Sequence, residues 1–149
     1  MLKLTEKELW MQRQQDIETI KRSGATLVFT LNTRRFLNNP ILSDLVLEFE
    51  RRLNKKLFGK AWRIKNKKLG WWHRLEFQSN NSHSHSVCTV NYGITETEVK
   101  SVARHIWVPL NKKMGNENAQ LWINAITKLN AEAVAVYVTK GDVTLLSSA

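Results

Sequence analysis

Apolar and polar positions recur along the chain with periods that divide it into helices and strands. A capping box, Thr5-Glu6-Lys7-Glu8, opens a helix predicted to run to about Arg22, where Ser23-Gly24 ends it. Ala25–Leu31 (ATLVFTL) is a continuous apolar run of strand length and predicts a largely buried strand. Asn39-Pro40 reads as an N-cap with proline at the first helical position. Behind it Leu42, Leu45, Val46, Phe49 and Leu53 keep helical spacing, and Gly59 is placed to stop that helix. Ala61–Ile64 and Trp71–Phe77 read as a hairpin around the basic turn Lys65–Gly70, and Asn80–Ser82 as a polar turn into a strand at His83–Val90. A second capping box, Thr95-Glu96-Thr97-Glu98, opens a helix with Val99, Val102, Ala103 and Ile106 on its apolar face, ending near Pro109. Lys112–Asn118 is a loop and Gln120–Ile126 a final strand. Asn130–Lys140 admits two readings. Val134, Val136 and Val138 alternate as in a strand, whereas the interleaved alanines, an Asn130 cap and a Gly141 stop favour a helix.

Strands mixed with helices in this order predict an α+β sheet backed by helices. The 149 residues suit a single domain with a real core, and no repeat, low-complexity tract or linker divides them. The expected layout is an N-terminal helix over residues 1–24 and a core over 25–141. Met1–Arg22 is charged throughout, unlike a signal peptide, and no apolar run reaches the roughly 20 residues of a membrane span, so no membrane partner is expected. A single cysteine, Cys88, excludes an internal disulfide and suits a reducing, cytoplasmic setting as a small buried strand residue.

Charge changes this picture. With 23 Lys+Arg against 13 Asp+Glu the net is +10, a field that attracts polyanions, nucleic acid first among them. The excess concentrates in RRLNKK, with Arg51, Arg52, Lys55 and Lys56, and in KAWRIKNKK, with Arg63, Lys65, Lys67 and Lys68. Trp62, Trp71 and Trp72 interleave with these cations, a pattern in which aromatic faces stack unpaired bases while cations meet phosphates.

The sharpest chemical signal is His83-Ser84-His85. Side chains two apart on a strand share a face, roughly 6.6 Å apart along it. Glu76, on the adjoining strand across a short connection, can add a carboxylate. Two imidazoles and a carboxylate suit Mn²⁺ or Mg²⁺ at a phosphate site, with zinc as the alternative. His73 is a rival third ligand: it stands three residues from Glu76 on the same predicted strand, so the two face opposite ways and only one of them belongs with the histidines. His105 lies off the apolar stripe and reads as surface. The second signal is Tyr137-Val138-Thr139-Lys140: on a helix, Tyr137 and Lys140 meet the same ligand, and a metal polarising a phosphodiester eases attack by a phenol. On a strand they would face apart. The other tyrosine, Tyr92, sits at a turn with no lysine three residues later.

Together these pieces resemble the HUH endonuclease superfamily, specifically bacterial plasmid or phage rolling-circle replication initiators. The resemblance spans roughly Thr26 to Lys140. Leu27–Asn32 (LVFTLN) matches an early strand motif, Glu76, His83 and His85 look like the metal motif, and AVAVYVTKGD looks like the catalytic motif. RRLNKKLFGKAW has the flavour of bacterial members. Ser84 stands where the family carries a hydrophobic residue, and such small polar residues imply tight or hydrogen-bonded packing. The resemblance implies a central antiparallel sheet of about five strands on the RRM-like, ferredoxin-like plan. It implies a metal-dependent, sequence-specific single-strand endonuclease and strand-transferase that nicks origin DNA through a 5′-phosphotyrosine on Tyr137, assisted by Lys140. Single-stranded origin DNA is then the partner, host replication proteins are further candidates, and a bacterial cytoplasm is the setting. Single-tyrosine transposases and mobilisation relaxases share this chemistry. A non-catalytic RRM-like binding module would lack the ligand cluster, and a generic phosphoesterase would form no covalent adduct.

Overall fold

A computed structural model describes residues 4–145. Its elements run α1 (Glu6–Arg22), β1 (Leu27–Asn32), α2 (Asn39–Phe58), α3 (Lys60–Ile64), β2 (Gly70–Gln78), β3 (Asn81–Thr89), α4 (Glu96–Lys113), β4 (Gln120–Ala125), α5 (Ala131–Val138) and β5 (Val143–Leu145). The strands form one antiparallel sheet in the order β4-β1-β3-β2-β5, so the fold is α+β with helices packed on a five-stranded sheet, in keeping with the ferredoxin-like plan.

The pleat sorts the sheet residues onto two faces. Leu27, Phe29 and Leu31 of β1, with Leu75 of β2 and Cys88 of β3, face α2 and α4 and join Leu42, Leu45, Val46, Phe49, Leu53, Val99, Ala103 and Trp107 in the main core. Burying one such side chain contributes about 1.5–3 kcal/mol. The Trp107 indole N–H donates to the carbonyls of Asn32 (3.2 Å) and Gln120 (3.0 Å), which fixes α4 across β1 and β4. The opposite face carries a smaller cluster, in which Ile17 and Ile20 of α1 meet Ala135 and Val138 of α5 over Val87. That second layer covers only part of its face. What it leaves open is the cleft described below.

Several boundaries differ from the sequence expectations. Ala61–Ile64 is not a strand but most of the short helix α3, and β2 forms its hairpin with β3 instead. One edge of β2 pairs with β3 along its length, and the other pairs with β5 at His73–Leu75. Asn38, not Asn39, caps α2, its side chain accepting from the Ile41 N–H at 3.0 Å, and Pro40 falls one position later than expected. α4 does not stop at Pro109 but continues to Lys113, held by buried Leu110 and Asn111, with the Asn111 amide donating to the Trp107 carbonyl. The Gln120–Ile126 segment is not the last strand, because the short β5 follows. Within Asn130–Lys140 the helix takes Ala131–Val138 and leaves Lys140 in the turn beyond it, and Asn130 does not cap it by side chain. Its amide instead accepts from Thr127 (2.7 Å) and donates to the Ala125 carbonyl (3.1 Å). Cys88 is buried, and that burial, with the nearby Glu50, pushes its thiol far above the usual range. Among the described residues no helix is long and apolar enough to cross a membrane.

Candidate active site

Register builds the site. Across the β2–β3 hairpin Glu76 pairs with His83, and across β1–β3 Thr30 pairs with His85 and Asn32 with His83. Since paired residues share a face, Glu76, His83 and His85 emerge together on the side away from α2. His83 Nε2 lies 3.0 Å from Glu76 Oε2 and 3.2 Å from His85 Nε2, and His85 Nε2 lies 3.3 Å from the same carboxylate oxygen. The Nδ1 of His83 faces the Asn81 carbonyl at 3.3 Å. A carbonyl only accepts, so that contact places the ring proton on Nδ1 and leaves the Nε2 lone pair for the cluster. Burial, and then the neighbouring His83, hold His85 below the usual imidazole range, which favours its neutral, ligating form.

The three donors can hold a metal ion. With metal–ligand bonds of about 2.1 Å, ligand atoms at right angles stand about 3.0 Å apart, and at a tetrahedral angle about 3.4 Å. The observed 3.0–3.3 Å fall in this range, with the shortest at the right-angle value. Asn81, on the same face, has a buried side-chain oxygen without a hydrogen-bond partner. An orphaned acceptor on the face of three convergent donors would find a donor in the water shell of a cation bound there.

α5 carries the fourth component over this face. The Tyr137 ring meets His85 edge-on, with centroids 4.8 Å apart, while remaining half exposed. Lys140 Nζ stands 5.9 Å from the centre of the Tyr137 ring, so the two share a side, although Lys140 lies in the turn just beyond α5, where its N–H donates to the Tyr137 carbonyl at 3.3 Å. Three attachments hold α5 there. Arg13 of α1 donates to Thr139 Oγ1 (3.2 Å) and to the Val136 carbonyl (2.9 Å), satisfying the helix's C-terminal end. Lys21 pairs with Glu132. Beyond the helix, the Gly141 carbonyl accepts from Arg74 Nε (2.8 Å), and the Asp142 N–H donates to the Leu75 carbonyl (2.7 Å). Gly141 was expected as a helix stop; its actual role is close approach. A Cβ there would lie 2.9 Å from the Leu75 carbonyl oxygen.

His73 points to the other face, fully buried, with Nε2 on Glu50 (3.0 Å), Nδ1 on Ser86 Oγ (2.6 Å) and its ring stacked on Trp71. It therefore takes no part in the cluster. Ser84 Oγ lies 2.9 Å from Ser86 Oγ, which makes the two serines between and after the histidines part of this buried chain. Hydrogen-bonded packing is thus the role of the small polar residues. His105 is on the surface, and Tyr92 lies at an exposed turn against Phe58, away from the cluster.

The basic residues are not gathered at the cluster. Arg51, Arg52, Lys55 and Lys56 line a surface groove on α2, in the layer behind the sheet, where Arg51 and Arg52 both hold Glu48. Trp62 and Arg63 belong to α3, and Lys65, Lys67 and Lys68 to the connection after it. Trp71 cannot stack a base from its place, since its ring packs on Phe29 (4.9 Å) and Phe49 (6.0 Å) in the core. Trp72 packs against the second cluster. What surrounds the metal donors is a cleft of about 550 Å³. Its lining includes Tyr137 and Lys140 together with Thr30, Asn32, Trp122 and Asn124, none of which the sequence had marked. Only the alternation Trp122-Ile123-Asn124 hinted that the first and third share a face. No family model, curated protein or solved structure matches this chain.

Proposed function

We propose that the protein is a metal-dependent, sequence-specific single-strand DNA endonuclease and strand-transferase of the HUH type, nicking an origin to initiate rolling-circle replication. The observation that carries this reading is Tyr137 beside the Glu76–His83–His85 cluster, its ring against His85 and Lys140 on the same side. The order of strand motif, metal motif and tyrosine motif along the chain supports it, as does the net charge of +10.

The ion assigned to the three donors is Mn²⁺ or Mg²⁺, chosen for mixed nitrogen and oxygen ligands; it supplies Lewis-acid polarisation of the phosphodiester. Tyr137 provides the nucleophile. Its phenolic oxygen bonds to phosphorus as the P–O3′ bond breaks, the phenol releases its proton, and the departing 3′-oxygen takes one up. The products are a 5′-phosphotyrosine and a free 3′-OH, so strand energy is conserved for rejoining or priming. The Lys140 ammonium, on the same side as Tyr137, is the group assigned to stabilise negative charge on the phosphate.

The test incubates the protein with single-stranded origin oligonucleotides and Mn²⁺ and looks for a denaturation-resistant adduct, mapped by mass spectrometry. The wild type should carry nucleotide on the peptide containing Tyr137. Tyr137→Phe should keep folding and DNA binding and form no adduct. His85→Ala should lose Mn²⁺ binding by calorimetry as well as cleavage. Cleavage by Tyr137→Phe at the wild-type rate, or an adduct on Tyr92, would falsify the mechanism.

A further inference from the structure

Trp122 is the one large aromatic in the cleft besides Tyr137, and it is 44% exposed although it sits on a strand. Among the described residues it belongs to neither apolar cluster and pairs with no other ring, whereas its neighbours Leu121 and Ile123 face the main core. Core packing therefore does not account for it. Register puts Trp122 opposite Thr30, which is itself opposite His85. Trp122 thus shares a transverse row with a metal donor two strands away, about 10 Å across the sheet. On the same face and strand, Asn124 follows two residues later, and Asn32 occupies the adjacent row of β1. The Asn32 side-chain oxygen already accepts from the Arg34 N–H at 2.8 Å, which leaves its NH₂ as the group to offer.

A flat apolar surface flanked by carboxamides, with Glu76 as the sole carboxylate in the cleft lining, selects a flat heteroaromatic that both donates and accepts hydrogen bonds. A nucleobase has that chemistry: aromatic side chains stack unpaired bases, and asparagine amides pair with their edges. Resting on the nuclease reading above, we infer that Trp122 is the stacking platform for one unpaired base of the DNA strand crossing the cleft, and that Asn32 and Asn124 contact its edge. The strand then has one fixed base about 10 Å across the sheet from His85, the donor in its own row, a short step along its backbone. The basic groove on α2, behind the sheet, does not supply this contact.

The measurement is fluorescence anisotropy, in EDTA so that no cleavage occurs, with two probes of about twelve nucleotides. One is an oligothymidine and the other a fully abasic strand with the same phosphates. The wild type should prefer the base-bearing probe. Trp122→Ala should lose about tenfold of that preference, while binding the abasic strand as before, and Trp122→Phe should retain most of it. Calorimetric Mn²⁺ affinity should be unchanged in both variants, which shows that the sheet is intact. Equal binding of the two probes by the wild type overturns the inference, as does an undiminished preference in Trp122→Ala. Tighter binding of the matching RNA overturns the assignment to DNA. A base preference that depends on Trp122, found without any Tyr137 adduct, supports the platform and defeats the nuclease reading alone.

Discussion

His73 and Glu76 stand three residues apart on β2, and the pleat alone sends one into the core and the other into the cleft. That they part was legible in the sequence, because period two needs no knowledge of the partner strand; that Glu76 is the one in the cleft rested on the family resemblance. What His73 does in the core was not legible, since its partner Glu50 comes from a helix whose packing angle no local pattern encodes. Removing His73 takes one hydrogen bond from the buried Glu50 carboxyl and one from Ser86, at about 1–3 kcal/mol. His73→Phe should therefore lower unfolding free energy by that amount in denaturant titration while leaving Mn²⁺ affinity within a factor of a few. A strong loss of metal binding with unchanged stability would assign His73 to the wrong face. On α2, hydrogen bonds from Arg51, ahead of those from Arg52, hold the Glu48 carboxylate down at about 2, against the opposing effect of its partial burial. A carboxylate depressed on folding stabilises above its unfolded value near 4.5, and that stability fades as pH falls toward 2. Both arginines are substantially solvated, so Glu48→Gln should cost about 1 kcal/mol at neutral pH. Thermal melts across pH should show the two proteins converging between pH 4.5 and 2; a constant gap would remove Glu48 as the cause.

Among the elements, those with their own period and caps were read correctly, α1 from its capping box and α2 from its apolar stripe, while β3 was found but begins at Asn81, inside the expected polar turn. Errors fell where a neighbour decides. KAWRI follows α2 directly after Gly59 and coils into α3, and Pro109 lies inside α4 between the buried Trp107 and Leu110. Trp122 escaped notice for the same reason, since its place beside the donors depends on β4 pairing with β1 from far away in the chain. The segment from α5 to β5 shows how one small residue positions an element. Gly141 lets the backbone lie against β2, and an added methyl would meet the Leu75 carbonyl oxygen at 2.9 Å. Gly141→Ala should cost about 1–3 kcal/mol and lower the thermal midpoint by several degrees. Because Lys140 is the adjoining residue, adduct formation should slow more than the lost stability explains. An unaltered midpoint and rate would show that β2 gives way at no cost.

At the scale of the whole molecule, the site joins parts of unequal tenure. The metal donors His83 and His85 lie on β3, the central strand, whose amides are tied to β1 on one side and β2 on the other. Tyr137 lies on an eight-residue helix at the rim, fastened by Arg13, Lys21 and the edge at Gly141. Hydrogen exchange read by mass spectrometry should place β3 in the slowest class, opening only when the molecule unfolds, and α5 in a faster one. Arg13→Ala should quicken exchange in α5 and leave β3 untouched; a common rate for both would mean that they open as one. Under the expected result the two halves of the site keep separate clocks. On the mechanism proposed above, a tyrosine carrying a DNA end would then swing out and return many times within the lifetime of a single assembly of the histidines, so the donors would wait for the strand rather than the strand for the donors.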